Sequence, residues 1–364
     1  SCIMEYIRAL QVNKAFSPHI GGVEQAVKDI VENLSSKCSS TVLVCNPPHG
    51  KYSEEVLNST KIIRCSTLFT FRSLPVSFSF FKEFFRQIKS HNLIHLHEPF
   101  PLGSVVAWML KKNPLVVTWH SDIVRQNFLK WLVLPFQYLV LKRADMIIVT
   151  SGSMKKKSFV RKFKNKTQVI PLSIKDEYVK NEINVNENYF LFVGRFVYYK
   201  GIIDLMEAMK SVEIPLKLIG SGPLWETVEN QVNGQHLDHV ELIKGPVSDE
   251  VLRDYFMKCS AFVFPSNAES EAFGLVQLEA MAAGKPVINT RLKTGVPEVS
   301  IDGETGITVN PNASHELAEA MRKLHENPEL RQQLGRNARE RVKQHFVHSV
   351  TIPKIETIYQ NLVA

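Results

Sequence analysis

Short runs of apolar residues alternate along most of this 364-residue chain with longer stretches in which apolar residues recur every three or four positions. Continuous apolar runs are typical of parallel strands buried on both faces, and the stretches between them are typical of crossover helices. The predicted strands cover residues 8–13, 40–46, 93–98, 115–120, 146–151 and 168–172 in the first half, and 189–194, 216–220, 240–245, 261–265, 286–290 and 306–310 in the second. The pattern predicts an α/β protein with two doubly wound, Rossmann-like domains in tandem.

The two series of strands are separated by the polar segment 173–188, which we interpret as an interdomain linker. We therefore expect one domain over residues 1–175, a second over 183–345 and a final helix over 346–364. A chain of this length can form two domains, each with its own core. Because ligands of doubly wound sheets bind beyond the carboxyl ends of the strands, we expect the two domains to face a cleft that holds the binding site.

The composition is that of a soluble globular protein, with 44% hydrophobic and 22% charged residues. The longest apolar stretch, residues 131–141, is shorter than the roughly 18 residues that a membrane-spanning helix needs. The five cysteines are scattered without CxxC spacing, and we expect no signal peptide. These features predict reduced cysteines in a cytoplasmic protein.

Charge is distributed unequally along the chain. Residues 1–180 carry 26 Lys and Arg against 12 Asp and Glu, although the net charge of the whole chain is only +8. Many of these cations fall within residues 155–166 and among the phenylalanines of residues 68–89. A basic surface with aromatic side chains suits peripheral contact with an anionic membrane, and the alternative is a solvated basic face over an ordinary helix. No nucleic-acid-binding module is recognisable, so we expect no nucleic-acid partner.

Two short segments carry groups that can bind a diphosphate. Arg195 and Lys200 follow the first strand of the second half in the sequence GRFVYYKG, where flanking glycines allow close approach of the backbone. Such cations can bind a diphosphate or can be solvated surface charges. Gly21 and Gly22 precede an amphipathic helix after the first strand, where free N–H groups can add to an anion site or where the pair forms a simple turn.

A second constellation lies in the sequence EAFGLVQLE, in which Gly274 ends a loop and a helix begins. Glu279 can accept hydrogen bonds from both hydroxyls of a ribose, and Glu271 from the hydroxyls of a second sugar. The N–H groups around Phe273 and Gly274 can meet the phosphates between the two sugars. The alternatives are a capping carboxylate for Glu271 and an exposed helix position for Glu279.

Other cofactors are not expected. The GxG at 220–222 is followed by Trp225, where dinucleotide-binding loops need glycine or alanine, which argues against NAD. The chain contains no Asp-x-Asp sequence to hold a divalent metal on a diphosphate, so cationic side chains and helix termini are expected to neutralise the leaving group. At most His95 and His97 share a strand face among the histidines of that region, which is too few for a zinc site.

Together these motifs resemble those of the retaining glycosyltransferases of family 4, which have the GT-B fold. The likeness rests on EAFGLVQLE, on the loops GRFVYYKG and GSGP, on the Gly-Gly loop and on the segment TWHSD, and it covers essentially the whole chain in the family's order. One departure is Ala272, where many members have glycine, and we expect it to narrow the sugar pocket. The resemblance also implies that the final helix packs back on the N-terminal domain.

The resemblance implies roles for individual residues. It implies donor contacts from Gly21, Gly22, Arg195, Lys200, Glu271, Phe273, Gly274, Leu275 and Glu279. Within this set, Glu271 would contact the donor sugar, Glu279 the nucleotide ribose, and Arg195 and Lys200 the diphosphate. His120 would touch the donor sugar and contribute to the reaction centre together with Arg195, Lys200 and Glu271. Glu98 is our candidate for acceptor binding.

The motifs look most like those of bacterial enzymes that transfer mannose or a related hexose in surface-polysaccharide synthesis. We therefore expect a retaining, metal-independent hexosyltransferase that uses GDP-mannose or a UDP-sugar, a lipid-linked or oligosaccharide acceptor, and peripheral contact with the inner face of the cytoplasmic membrane. One alternative is a UDP-sugar-dependent hexosyl or N-acetylhexosaminyl transferase. Others are a nucleotide-sugar epimerase or hydrolase, and a non-catalytic lipid-binding scaffold with the same fold.

Overall fold

The computed structural model of the protein describes residues 5–18, 21–71, 74–122, 127–157, 160–180 and 186–364. The strands are β1 (Ile7–Val12), β2 (Cys38–Cys45), β3 (Ser53–Leu57), β4 (Thr60–Cys65), β5 (Phe69–Phe71), β6 (Leu74–Val76), β7 (Leu93–Glu98), β8 (Leu115–Trp119), β9 (Met146–Val149), β10 (Thr167–Val169), β11 (Phe190–Val193), β12 (Leu216–Gly220), β13 (Val240–Lys244), β14 (Ala261–Val263), β15 (Val287–Thr290) and β16 (Gly306–Val309). The α-helices are α1 (Gly22–Asn33), α2 (Phe78–Gln87), α3 (Pro101–Trp108), α4 (Asn127–Arg143), α5 (Gly152–Lys155), α6 (Ile202–Met209), α7 (Trp225–Gly234), α8 (Asp249–Lys258), α9 (Val276–Ala282), α10 (Val296–Val299), α11 (Ser314–Glu326), α12 (Pro328–His345) and α13 (His348–Val363).

The chain divides into two compact units. The first unit comprises Ser1–Leu172 together with His348–Ala364, and the second comprises Ser173–Val347. Residues 173–180, which we interpreted as linker, therefore belong to the second unit, where Ile174 bridges to Val347. The first unit likewise ends three residues before the expected boundary at 175.

The sheet of the first unit has the order β10-β9-β8-β7-β1-β2-β4-β3. All its pairings are parallel except that of β3 with β4, and β5 and β6 form a separate antiparallel hairpin. From β1 the chain adds strands on one side through β2 and β4, and it then returns to add β7, β8, β9 and β10 on the other. The strand order thus reverses between β1 and β7, which is the point at which doubly wound sheets bind ligands.

The sheet of the second unit has the order β13-β12-β11-β14-β15-β16, and every pairing within it is parallel. The core combines the strands with α6 and α11 and includes Phe190, Leu205 and Met321, each with no exposed surface. Here the strand order reverses between β11 and β14. The loops that follow these two strands therefore mark the expected ligand site of this unit.

The final helix, α13, packs in the first unit although it follows the whole second unit in sequence. Its apolar side chains Ile352, Ile355 and Ile358 share a buried cluster with Ile7 of β1 and Leu93 of β7. Burial of each such side chain contributes about 1.5–3 kcal/mol. This packing places the carboxyl-terminal helix directly behind the strands at the point where the order reverses.

The two parallel sheets confirm the predicted α/β class and its doubly wound topology, and each predicted strand position contains a strand. The apolar pattern of the sequence does not predict β3 to β6. All five residues of β3 are exposed, so that strand has no apolar run to reveal it. Among the described residues, no helix has both the length and the apolar character that crossing a membrane requires.

Candidate active site

The loops after β11 and β14 come together in the second unit. The loop after β11 carries Arg195 and Lys200, and the loop after β14 carries Ser266 and Glu271. The backbone N–H of Asn267 donates to the carbonyl of Tyr199 at 2.9 Å, which joins one loop to the other. Two motifs separated by about 70 residues of sequence thus form one site.

Lys200 and Glu271 form the centre of this site. The Lys200 ammonium group pairs with Glu271 Oε2, and the Ser266 hydroxyl donates to the same oxygen at 3.1 Å. Both charged side chains are largely buried, with 19% and 13% of their surface exposed. A cation and a carboxylate are therefore held side by side. The cation can pair with a phosphate group of a ligand, and the carboxylate can accept hydrogen bonds from an adjacent hydroxyl group.

A glycine permits the close approach of the two loops. Gly201 has a left-handed φ of 72° and ends the short 3-10 turn formed by Tyr198–Lys200. A methyl group at Gly201 would lie 1.8 Å from the carbonyl oxygen of Pro265. Glycine is therefore required both by the backbone conformation and by the contact between the loops.

Arg195 differs from Lys200 in its surroundings. Its side chain is exposed, and within the described part of the chain it makes no ion pair. The backbone beside it is fixed, because the N–H of Phe196 donates to the carbonyl of Ser221 at 2.9 Å. A fixed backbone with an exposed guanidinium group can bind a phosphate without first breaking an internal ion pair.

The segment Glu271–Leu275 is anchored beneath by buried amides. Gln277 Nε2 donates to the carbonyl of Phe273 at 3.2 Å, and Asn289 Nδ2 donates to Gln277 Oε1 at 3.0 Å. Gly274 has a φ of 78°, and Leu275 directly precedes α9. No motif predicts Ser266, Gln277 or Asn289, because a single polar residue has no recognisable spacing to another.

Glu279 lies in the first turn of α9 and lines a cavity of about 30 Å³ with Tyr178, Asp249 and Arg253. Burial, with a smaller contribution from the nearby Asp249 carboxylate, raises the pKa of Glu279 to about 7. The Arg253 guanidinium group stacks on the ring of Tyr178, 4.6 Å from its centroid. No cation among the described residues pairs with Glu279, so its carboxyl group can accept hydrogen bonds from ligand hydroxyls.

In the first unit, His120 follows β8 and is 8% exposed. Its backbone N–H donates to the carbonyl of Glu98, the last residue of β7, at 3.0 Å. Burial lowers the pKa of His120 to about 4, so the ring is neutral near pH 7. A neutral imidazole at a strand end can donate or accept a hydrogen bond, depending on its tautomer.

Glu98, our candidate for acceptor binding, is hydrogen-bonded to the residues that follow it. Its side chain has no exposed surface, it accepts the N–H of Phe100 at 2.5 Å, and it also accepts the Ser104 hydroxyl. Burial raises the pKa of Glu98 to about 7. The carboxyl group thus anchors the start of α3, and acceptor binding by Glu98 stays a prediction.

His95 and His97 share one face of β7, as the alternation of a strand predicts, and their ring centroids are 4.2 Å apart. All four of their ring nitrogens lie within hydrogen-bonding distance of Tyr359, Thr118, Gln11 and His120. Among the residues that the structure describes, no three metal-ligating side chains are grouped closely enough to share a metal ion.

Gly21 and Gly22 lie at the start of α1, as predicted. Gly21 is the N-cap residue in an extended conformation, and no described atom lies within 4 Å of where a methyl group on Gly22 would be. A methyl group at Gly21 would instead collide with the carboxylate of Glu24 in the first turn. The open backbone at Gly22 leaves room for a ligand to approach the helix terminus.

Two family models match the chain in succession. The model described as Glycosyltransferase Family 4 matches residues 20–178, and the model described as Glycosyl transferases group 1 matches residues 173–341. The O-antigen chain mannosyltransferase C of Escherichia coli is 31% identical over 98% of this chain and 99% of its own length. A D-rhamnosyltransferase of Pseudomonas aeruginosa is 32% identical over 93% of this chain and 92% of its own length.

Solved structures share the fold over almost the whole chain. Sucrose-phosphate synthase from Thermosynechococcus elongatus superposes with a TM-score of 0.80 at 23% identity, covering 98% of this chain and 99% of its own. HepE from Anabaena, solved in complex with UDP, gives a TM-score of 0.79 at 18% identity, covering 98% of this chain and all of its own. At these identities the likeness shows the fold alone.

Proposed function

This chain belongs to the glycosyltransferase family defined by those two models, and on that premise we propose that it transfers a hexose, mannose in the first instance, from a nucleotide diphosphate sugar to an acceptor hydroxyl in bacterial surface-polysaccharide synthesis. The acceptor in this proposal is a lipid-linked saccharide or an oligosaccharide. The names of the relatives from Escherichia coli and Pseudomonas aeruginosa support hexose transfer and, for the former, O-antigen synthesis.

The observation that carries the proposal is the pairing of Lys200 with Glu271 where the strand order of the second unit reverses. In the proposed complex the Lys200 ammonium group moves to the diphosphate, and the Glu271 carboxylate accepts hydroxyls of the transferred sugar. Lys200 then exchanges a carboxylate for a phosphate, and Glu271 exchanges an ammonium group for hydroxyl donors, so neither charged group is left without a hydrogen-bond partner. Glu279, one turn into α9, accepts the ribose hydroxyls of the same donor.

Protein cations are the main source of catalysis in this proposal. Negative charge grows on the β-phosphate oxygen as the bond to the sugar breaks, and Lys200 and Arg195 stabilise that charge more in the transition state than in the ground state. The loss of one such contact typically lowers kcat by roughly 100- to 1,000-fold. The donor needs no metal ion in this scheme, because the two side chains supply the positive charge.

We propose further that the anomeric configuration is retained. In the proposed complex the Glu271 carboxylate accepts hydrogen bonds from the Ser266 hydroxyl and from hydroxyls of the sugar, which makes it a poor nucleophile for a covalent intermediate. Front-face attack by the acceptor hydroxyl, with its proton passing to the departing phosphate, needs no protein nucleophile. His120, Gly21 and Gly22 of the first unit keep the donor-contacting roles that the family resemblance implies.

Contact with a membrane is supported by exposed aromatic side chains on the basic first unit. Phe78 is 73% exposed at the start of α2, and Trp131 is 77% exposed on α4. Trp108, at the end of α3, is also exposed and stands shortly before Lys111 and Lys112. Helix α3 contacts α4 and also β6, the strand that precedes α2 in the chain. Aromatic side chains and cations of this kind bind an anionic bilayer surface.

A panel of nucleotide sugars, with a synthetic prenyl-linked saccharide as acceptor, tests the proposal. The expected result is acceptor-dependent release of nucleoside diphosphate from GDP-mannose and an α-linked product by proton NMR, because retention keeps the anomer of the donor. Turnover of UDP-sugars alone would support the alternative transferase. Equal donor breakdown without acceptor would indicate a hydrolase or epimerase, and lipid binding without turnover would indicate a scaffold.

A further inference from the structure

A continuous chain of buried hydrogen bonds lies behind His120 in the first unit. It consists of Gln11 on β1, His95 and His97 on β7, Thr118 on β8 and Tyr359 on α13. Gln11, His95, His97 and Tyr359 have no exposed surface, and Thr118 is 5% exposed. Four separate elements therefore contribute to one polar path through an otherwise apolar core.

The distances define an unbroken path from His120 to Thr118. His120 Nε2 lies 3.1 Å from His97 Nδ1, and His97 Nε2 lies 2.8 Å from Gln11 Oε1. Gln11 Nε2 donates to the Tyr359 hydroxyl at 2.8 Å. That hydroxyl is hydrogen-bonded to His95 Nδ1, and His95 Nε2 lies 2.6 Å from Thr118 Oγ1.

The Gln11 amide sets the direction of every bond in the path. Its oxygen can only accept, so His97 carries its proton on Nε2 and has an acceptor lone pair on Nδ1. His120 must then donate from Nε2. On the other side, the Gln11 amide donates to Tyr359, whose single proton goes to His95 Nδ1, and His95 in turn donates from Nε2 to Thr118. One consistent set of tautomers satisfies all five bonds.

This assignment requires that each ring carries one proton. Burial lowers the pKa of His95 to about 3 and that of His120 to about 4, and it lowers the pKa of His97 well below its ordinary value. Burial also raises the pKa of Tyr359, so its hydroxyl keeps its proton. All members of the path are thus neutral near pH 7, as the directional scheme needs.

We propose that Gln11, His97 and Tyr359 are positioning residues, which hold His120 in the Nε2–H tautomer so that its Nδ1 accepts a hydrogen bond from a hydroxyl of the donor sugar. For the role of His120 this inference rests on the proposed function. A freely rotating His120 would populate both tautomers and two ring orientations, and only one combination would accept that hydrogen bond. The path makes α13 part of the reaction centre through Tyr359, although α13 lies about 240 residues from His120 in sequence.

The tautomer of His120 is measured directly by long-range proton–nitrogen NMR of histidine-labelled protein, with His120→Gln used for assignment. We expect the Nε2–H form in the wild type. Tyr359→Phe removes the hydroxyl on which the orientation of the Gln11 amide depends, so we expect a mixture of His120 tautomers. Ile355→Val, on the same helix and in the same buried cluster, is the matched control and should leave the His120 signals unchanged. An unchanged tautomer in Tyr359→Phe, or the Nδ1–H form in the wild type, would overturn the proposal.

A second arm measures kinetics. The two variants His97→Leu and His97→Asn introduce side chains of similar size, but only Asn can accept a hydrogen bond from His120 Nε2–H. His97→Leu should lower kcat about tenfold with little change in KM. In His97→Asn, kcat should stay within about threefold of the wild-type value. In a His120→Ala background, His97→Leu should lower kcat no further, because its effect passes through His120. Equal losses in the Leu and Asn variants, or additive losses in the double variant, would show a merely structural role. The NMR arm needs no turnover, so it remains decisive if the chain does not transfer sugar.

Discussion

The carboxyl group of Glu279 provides a test of the nucleotide end of the site that does not depend on knowing the substrate. Burial and Asp249 raise its folded-state pKa to about 7, whereas the unfolded value is about 4.3. The folded protein thus holds this proton over a pH range in which the unfolded chain releases it. The contribution of the protonated Glu279 carboxyl group to the free energy of unfolding is therefore fully present below about pH 4.3, and it is lost as the pH rises through about 7.

The size of the effect follows from the shift. A difference of roughly 2.7 pKa units corresponds to at most about 3.7 kcal/mol, and because Glu279 is only partly buried we expect about 1–3 kcal/mol. Glu279→Gln removes this cost, so the variant should gain stability relative to the wild type between pH 5 and pH 8. For a unit of this size, each kcal/mol raises Tm by roughly 2–4 °C.

Urea and thermal unfolding of the wild type and Glu279→Gln at pH 5 and pH 8 measure this difference. Glu250→Gln, an exposed position on α8 that removes the same formal charge, is the control and should follow the wild type at both pH values. An equal stability difference between Glu279→Gln and the wild type at pH 5 and pH 8 would rule out a raised pKa for Glu279. Titration calorimetry measures the affinity for the donor at different pH values. In the wild type this affinity should rise with pH, because the ionised carboxylate accepts hydrogen bonds from ribose hydroxyls best. In Glu279→Gln the affinity should not change with pH.

Two further changes test the loop contact and the membrane surface. Gly201→Ala places a methyl group 1.8 Å from a backbone carbonyl oxygen and puts an alanine into the left-handed conformation. We therefore expect it to lower the free energy of unfolding by more than about 2 kcal/mol. The control Gly234→Ala has open space around the new methyl group and should be neutral or slightly stabilising. A wild-type midpoint for Gly201→Ala in urea would contradict the loop contact. In a sedimentation assay, the double variant Phe78→Ser and Trp131→Ser should bind anionic vesicles at least tenfold more weakly than the wild type. The control Val56→Ser changes a similarly exposed side chain on β3 and should bind vesicles as the wild type does. Equal weakening by all three substitutions would place the membrane contact elsewhere.

The sequence predicts the architecture well because parallel strands buried on both faces must be continuously apolar. All twelve predicted strands are present, and the resemblance to family 4 glycosyltransferases is confirmed. The exposed strand β3 and the short hairpin of β5 and β6 escape prediction, since their stability comes from pairing and not from an apolar run.

The candidate site is predicted unevenly, for a physical reason. Lys200 and Glu271 each belong to a motif, and the structure brings them into contact. Ser266 and Gln277 act by hydrogen-bonding neighbours that only the fold supplies, and no spacing reveals them. The hydrogen bonds of Glu98 at the start of α3 could not be predicted, because a polar residue at a strand end is as suitable for anchoring the next helix as for binding a ligand. The path from His120 to Tyr359 joins residues that are far apart in sequence, so it is visible only in the structure.

The central claim is that Lys200, with Arg195, binds the diphosphate of an activated sugar in place of a metal ion. Donor turnover in the presence of EDTA, compared between the wild type, Lys200→Met and the exposed-site control Lys210→Met, tests it most directly. We expect an unchanged rate for the wild type and for Lys210→Met, and a loss of roughly 100-fold or more for Lys200→Met. Activity that EDTA abolishes and manganese restores, or a Lys200→Met rate equal to that of the wild type, would contradict it.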